Sequence, residues 1–280
     1  MGNMYKIGLS TCGKLAVEEQ FIDYQRSGIS AMEVSVGYDK CGEIDFKEMS
    51  ALSLRYGVEL WSFHLPFAPF SKLEISQKEL ANATVAYFET LIQKGSDIGI
   101  DKFVIHPSGE PIAPDDRAER RKVSKESLSK LAEIAKRNGA VIAVETLPRT
   151  CLGNCSDEIS ELISVDPSLG VCFDTNHLLG EDPINFIQKI GNRIITLHVS
   201  DYDFVNERHW LPGEGQSNWQ AIYKALQKVG YHGAWLYEVG FGSTKTITRA
   251  RMLTCEDMVR NANEIFQGRP LSVIPHEKHC

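Results

Sequence analysis

Eight short runs of apolar, largely β-branched residues punctuate this 280-residue chain, and each is followed by a longer segment whose apolar residues recur every three or four positions. The runs are Tyr5–Thr11, Ala31–Val36, Leu60–Leu65, Lys102–His106, Val141–Thr146, Gly170–Thr175, Ile194–Val199 and Ala234–Val239. The longer segments cover 17–28, 45–56, 77–98, 116–138, 156–164, 183–191, 218–229 and 246–267. The first pattern reads as buried strands and the second as amphipathic helices. Gly28, Gly57, Gly139 and Gly230 each follow a last helical turn, where a left-handed residue ends a helix. Alternation of this kind demands a parallel sheet with right-handed crossovers, because a parallel neighbour is reached only through a long connection.

An open doubly wound sheet and a closed barrel both meet that demand. Eight units favour closure. A doubly wound nucleotide binder would also carry G-x-G-x-x-G after its first strand; this chain has Ser10-Thr-Cys-Gly-Lys-Leu15 there, and no P-loop elsewhere. The expectation is an α/β protein of the (β/α)8 TIM-barrel class, forming a single domain over 1–280 with no Pro/Ser-rich linker to divide it. Hydrophobic residues at 42% and charged residues at 24% supply the core and the solvated surface that such a domain needs.

The net charge of -7, with both signs interspersed, disfavours a nucleic-acid partner, because neutralising phosphates needs clustered Lys and Arg. The richest basic stretch, Arg117–Lys125, reads as a solvated helix face. No apolar run approaches the roughly 18 residues of a membrane span. The opening Met-Gly-Asn-Met-Tyr-Lys lacks the basic and apolar regions of a signal peptide. Seven scattered cysteines fit reduced thiols, and Cys151 with Cys155, lacking a second pair, does not read as a metal site. A cytoplasmic protein without a membrane partner is expected.

In a (β/α)8 barrel the chemistry collects at the carboxyl ends of the strands. From the third strand onward every run here ends on or beside a polar residue: His64, His106, Glu145, Asp174, His198 and Glu238. Any one of them could cap a loop. Together, Glu145, Asp174, His198 and Glu238 bring three carboxylates and an imidazole from four consecutive strands to one mouth, where the carboxylates would repel without a cation. One divalent metal ion resolves the conflict. The mostly oxygen donor set suits Mn²⁺ first, with Mg²⁺, Co²⁺, Fe²⁺ or Zn²⁺ as alternatives. Coordination positions then remain for two substrate oxygens, and the ion polarises a carbonyl.

These strand ends resemble those of the xylose isomerase-like TIM-barrel superfamily, which includes sugar isomerases, D-tagatose 3-epimerase-like enzymes, inosose dehydratases and endonuclease IV. The most specific stretches are Leu197-His-Val-Ser-Asp201, Trp210-Leu-Pro-Gly-Glu-Gly-Gln-Ser-Asn-Trp219, Gly230-Tyr-His-Gly-Ala-Trp-Leu-Tyr-Glu238 and Phe173-Asp-Thr-Asn-His177. The resemblance implies that Glu145, Asp174, His198 and Glu238 hold the metal and that the two glutamates are also the acid/base pair. It places Arg149, in Glu145-Thr-Leu-Pro-Arg149, on a substrate hydroxyl and His177 against the substrate. The implied substrate is a small ketose or related α-hydroxycarbonyl sugar, isomerised or epimerised through an enediolate by a homodimer or homotetramer. Two departures stand out. Cys151 replaces an acidic residue that the epimerases carry six positions after the first metal-binding Glu, and the insert Asp201–Trp210 is longer than theirs.

A lyase of the same superfamily would use the same proton abstraction and then expel a β-substituent. The endonuclease IV resemblance implies a three-zinc hydrolase, and His64, His106, His177 and Glu207-Arg-His209 stand at similar places, but this acidic chain lacks a basic groove for DNA. A non-catalytic sugar-binding barrel would not need two opposed carboxylates. His64, His106 and His209 are expected to contact the substrate. Glu33 reads as a structural carboxylate, Trp210 as a pocket wall, and Trp61 and Trp219 as core, with His232, His276 and His279 on the surface.

Overall fold

The computed structural model describes residues 5–279; Met1–Met4, which belong to the stretch read for a leader, and Cys280 lie outside the described residues. Eight of the strands form one parallel sheet: β1 (Ile7–Ser10), β2 (Ala31–Ser35), β3 (Glu59–His64), β4 (Lys102–Ile105), β5 (Val141–Glu145), β6 (Gly170–Asp174), β7 (Ile194–His198) and β8 (Trp235–Tyr237). Their spatial order is β7-β6-β5-β4-β3-β2-β1-β8. The ring closes between its ends, where Val199 N–H donates to Leu236 O at 2.8 Å and Glu238 N–H to Val199 O at 3.1 Å. This is the single-domain (β/α)8 TIM barrel that the alternation implies.

The helices between strands are α1 (Glu18–Ser27), α2 (Phe46–Tyr56), α3 (Lys78–Ser96), α4 (Arg117–Arg137), α5 (Ser156–Ile163), α6 (Pro183–Ile190) and α7 (Trp219–Lys228), with α8 (Cys255–Phe266) after the last barrel strand. The main core fills the space between barrel and helices, where Phe63, Phe103, Phe173 and Tyr237 are completely buried. Inside the barrel the packing differs. Successive side chains of a strand alternate faces, so Ala143, Cys172 and Leu236, each two residues before Glu145, Asp174 and Glu238, are buried beneath those groups. Trp61 plugs the interior, its indole N–H donating to Thr196 Oγ1 at 3.0 Å.

The chain after β8 departs from the expectation of one helix over 246–267. Ile247–Arg249 forms β9, antiparallel to β10 (His276–Lys278), and the helix starts only at Cys255. The reason is local. Ile247 and Arg249 are buried while Thr248 is exposed, a strand's alternation, and Arg249 makes a fully buried ion pair with Glu214 at 2.6 Å. Thr254 and Asp257 then form a capping box that sets the first turn of α8. Trp210 also departs. It is buried, with its indole N–H donating to Thr246 Oγ1 at 3.2 Å, and is not a wall of the mouth. Trp219 is core as expected, and His232 and His279 are exposed, whereas His276 is half-buried in β10. The six described cysteines are free, and no described helix is long and apolar enough to cross a membrane.

Candidate metal centre

Glu145, Asp174 and His198 are the last residues of β5, β6 and β7, and Glu238 follows β8 directly. Parallel register sets their side chains side by side. One ligand atom from each lies within 4.8 Å of the others. Asp174 and His198 are completely buried, Glu145 nearly so, and Glu238 is half-buried at the edge of the mouth.

His198 shows how the quartet is oriented. Its Nε2–H donates to Glu33 Oε2 at 3.1 Å, and Glu33, in the middle of β2, is itself fully buried and accepts from Ser62 Oγ at 2.8 Å. That bond turns Nδ1 upward, 3.0 Å from Glu145 Oε1, 3.5 Å from Glu238 Oε2 and 3.7 Å from Asp174 Oδ2. Glu33 is thus the structural carboxylate expected, and it orients a potential ligating ring through that ring's far nitrogen.

The donor set fits a divalent cation. Asp174 Oδ2 is buried and has no hydrogen-bond partner. A buried carboxylate oxygen is costly to leave unsatisfied, and this one points at three other potential ligands.

The two glutamates are pushed apart electrostatically. Burial raises the Glu145 carboxyl, but His198 and His106 beside it outweigh burial and hold it well below the usual carboxylate range. Burial dominates at Glu238 and, with the charges of Asp174 and Glu145, raises it despite His198 and His209.

The expected histidines surround the same carboxylates. His64 Nδ1–H donates to Leu65 O at 2.9 Å and its Nε2 lies 3.0 Å from Glu145 Oε2. Burial pulls this imidazole down, but Glu145 and Glu33 prevail and raise its pKa. His106 Nε2 is also 3.0 Å from Glu145 Oε2; there burial prevails and the pKa falls. His177, in the loop after β6, donates from Nδ1 to Thr146 O at 2.8 Å and sets Nε2 3.2 Å from Glu207 Oε2. Burial opposes its protonation, yet Asp174 and Glu207 raise it to about 10. Its hydrogen bond lowers Glu207 to about 2. His209 Nδ1–H donates to Glu238 O at 3.2 Å.

Arg149 reaches the mouth, but its donors are already engaged. They contact Glu110, Glu207 at 3.0 Å and Asn206 at 2.7 Å. The long insert explains Glu207 and His209: Asp201 and Trp210 pair across its base, and Arg208 N–H donates to Asn176 Oδ1 at 2.7 Å, folding the loop back over His177. Arg149 and His209 both sit at positive φ, 53° and 52°, as do Cys12 and Phe204, and all four lie in loops beyond the carboxyl ends of β1, β5 and β7. Uncommon backbone of this kind gathers where surrounding structure fixes a functional geometry.

Two residues of the mouth had no motif to reveal them. Glu110 engages Arg149, and Phe67 stacks on His106 with ring centres 4.2 Å apart while remaining 42% exposed. An aromatic residue directly after Leu65-Pro66, at the end of the third strand, was the available signal for Phe67.

The chain is similar to known proteins over most of its length. An inosose dehydratase of Lacticaseibacillus casei is 26% identical over 248 residues, covering 79% of this chain and 81% of that protein. A fructoselysine 3-epimerase of Shigella flexneri is 21% identical, over 81% of this chain and 87% of the relative. The crystal structure of a D-tagatose 3-epimerase-like protein superimposes with a TM-score of 0.77 at 24% identity, covering 94% of this chain and 96% of that one. A family model described as xylose isomerase-like TIM barrel matches residues 21–254, and the chain belongs to that family.

Proposed function

We propose that the chain is a divalent-metal-dependent sugar isomerase or epimerase, acting on a ketose or related α-hydroxycarbonyl sugar by proton transfer through an enediolate, with Glu145 and Glu238 as its acid/base pair. The convergence of the two glutamates carries the reading. Glu145 at the end of β5 and Glu238 just after β8 each bring a carboxylate oxygen into one donor group with Asp174 and His198, within 4.8 Å of one another. Both carboxylates therefore border the place where a chelated carbonyl and its neighbouring carbon would sit. Relatives named as an inosose dehydratase and a fructoselysine 3-epimerase support an enzyme with a small-molecule substrate.

A divalent ion held by Glu145, Asp174, His198 and Glu238, Mn²⁺ first among the candidates, would supply Lewis-acid polarisation of the substrate carbonyl. Ionised Glu145 accepts the proton from the adjoining carbon, and Glu238 delivers one to the opposite face or to the neighbouring carbon. His64, tied to Leu65 O and Glu145, keeps that carboxylate aimed. His106, His177 and His209 face the reacting space and meet substrate hydroxyls, and Arg149 borders it from within its own ion-pair network.

The test is deuterium uptake. A panel of ketoses incubated in D₂O with the Mn²⁺-loaded protein should exchange at one carbon, and Glu145→Gln and Glu238→Gln should each slow exchange about 10²–10⁴-fold. Full exchange in both variants overturns the assignment; release of a leaving group without exchange identifies a lyase.

A second reading, a three-metal hydrolase, is favoured by one observation. His64, His106 and Glu145 form a further group of potential ligands, and His177, Glu207 and His209 another. In His64 and His177 one ring nitrogen donates to a backbone carbonyl, so the other is left to face Glu145 and Glu207 respectively. Protons on His64 and His177 would then stand where cations bind, and a metal content of three ions per chain distinguishes this case.

A further inference from the structure

We infer that the substrate is a sugar conjugate whose apolar, ring-sized group occupies a second lobe of the mouth, between the loops that follow β1, β2, β3 and β8. The inference rests on the proposed function for the sugar half of the molecule and adds what the sugar is attached to.

The mouth has two connected cavities. One, of about 250 Å³, is bordered by Glu145, His177 and Arg149. The other, of about 390 Å³, is bordered by Val36, Pro66, Ala68 and Val239 and by the backbone of Gly13, Gly37 and Gly240. His64, Phe67, His209 and Glu238 border both, so a single molecule can span them. The second volume alone falls within the roughly 300–1,000 Å³ range of small-molecule pockets.

Their chemistry differs as much as their position. Apart from the shared residues, the larger lobe offers side-chain polar atoms only from Cys12, Ser35 and Tyr38. A free ketose reaching into it would exchange hydroxyl–water hydrogen bonds for very few protein ones, and each unmatched hydroxyl weakens binding about tenfold. An apolar ring gains there instead. Phe67 supplies a platform at the junction, its ring stacked on His106 and still exposed on the mouth side. Glycine at 240 keeps the lobe open without being required by the backbone: it has no positive φ, and an added Cβ would meet only Thr244 Cγ2 at 3.8 Å. The occupant that joins the two halves is a conjugate whose sugar keeps its carbonyl and directs it toward the carboxylates, with an aryl or similarly flat apolar group attached away from that carbonyl. A simple glycoside, its anomeric carbon closed as an acetal, serves only as a binding probe of the lobe.

Calorimetric titration of the Mn²⁺-loaded protein with p-nitrophenyl β-D-glucopyranoside and with methyl β-D-glucopyranoside tests this. The aryl glycoside should bind about tenfold tighter or better, as burial of a phenyl ring's apolar area predicts. Gly240→Phe, with its thermal midpoint checked against the parent, should collapse that ratio toward one by filling the lobe. Equal affinities in the parent, binding of neither glycoside, or a ratio unmoved by Gly240→Phe overturns the inference. Its failure is separable from that of the isomerase reading. An intact aryl preference without ketose exchange sinks the reading and leaves the lobe, and ketose exchange without the preference does the reverse.

Discussion

His198 is where one residue's placement decides the most. An imidazole offers two nitrogens, and only the hydrogen bond to Glu33 selects which one faces Glu145, Asp174 and Glu238. Removing the charge behind it, by Glu33→Gln, should weaken Mn²⁺ affinity about 10–100-fold, read by competition with a fluorescent chelator; unchanged affinity would contradict this role. The gathering of these four side chains was legible in the sequence, because a strand's last residue in a barrel of this kind has a predictable direction. Glu33 was not legible as their support, since its partner lies 165 positions away across the barrel and no spacing rule connects them. Arg149 was half legible: its position at the mouth agrees with the expectation, while its binding to Glu110 and Glu207 depends on loop conformations.

At the level of elements, the region after β8 shows what periodicity misses. Apolar spacing over 246–267 suggested one helix, but the buried pairing of Arg249 with Glu214 and the strand β9 use its first part, and α8 begins only where Thr254 and Asp257 cap it. Asp257 is almost fully buried and accepts from Arg251 and Arg260 at 2.6–2.9 Å. Hydrogen bonding to Arg251 is the largest influence on its carboxyl and, with burial opposing, holds it down at about 2. A lowered pKa in the folded state stabilises the fold above the ordinary Asp range, and that contribution fades as pH falls through about 4 toward 2. Asp257→Asn should therefore lower the thermal midpoint near pH 7: the amide oxygen can still accept from Thr254 N–H, but the charge that pairs with the half-exposed Arg251 and Arg260 is gone, a loss of about 1 kcal/mol or less. The gap between parent and variant should shrink as acid is added; a gap independent of pH would refute the carboxylate's role.

For the whole molecule, the (β/α)8 barrel was the most legible feature, because eight alternating units leave few topologies once crossovers must be right-handed. The mouth's outline was not legible. The insert Asp201–Trp210 could be seen as long, but only its folding against Asn176 brings Glu207 and His209 over His177 and divides the mouth into a polar and an apolar lobe. The barrel gathers the quartet into one compact donor set, and the proposed chemistry depends on a cation bound there. Metal content of the purified protein by mass spectrometry, measured beside Asp174→Asn, tests that claim most directly. About one divalent ion per chain in the parent, lost from a folded variant, is the predicted result. An ion retained in full by Asp174→Asn, or a parent that takes up no divalent ion when Mn²⁺ is supplied, would contradict it.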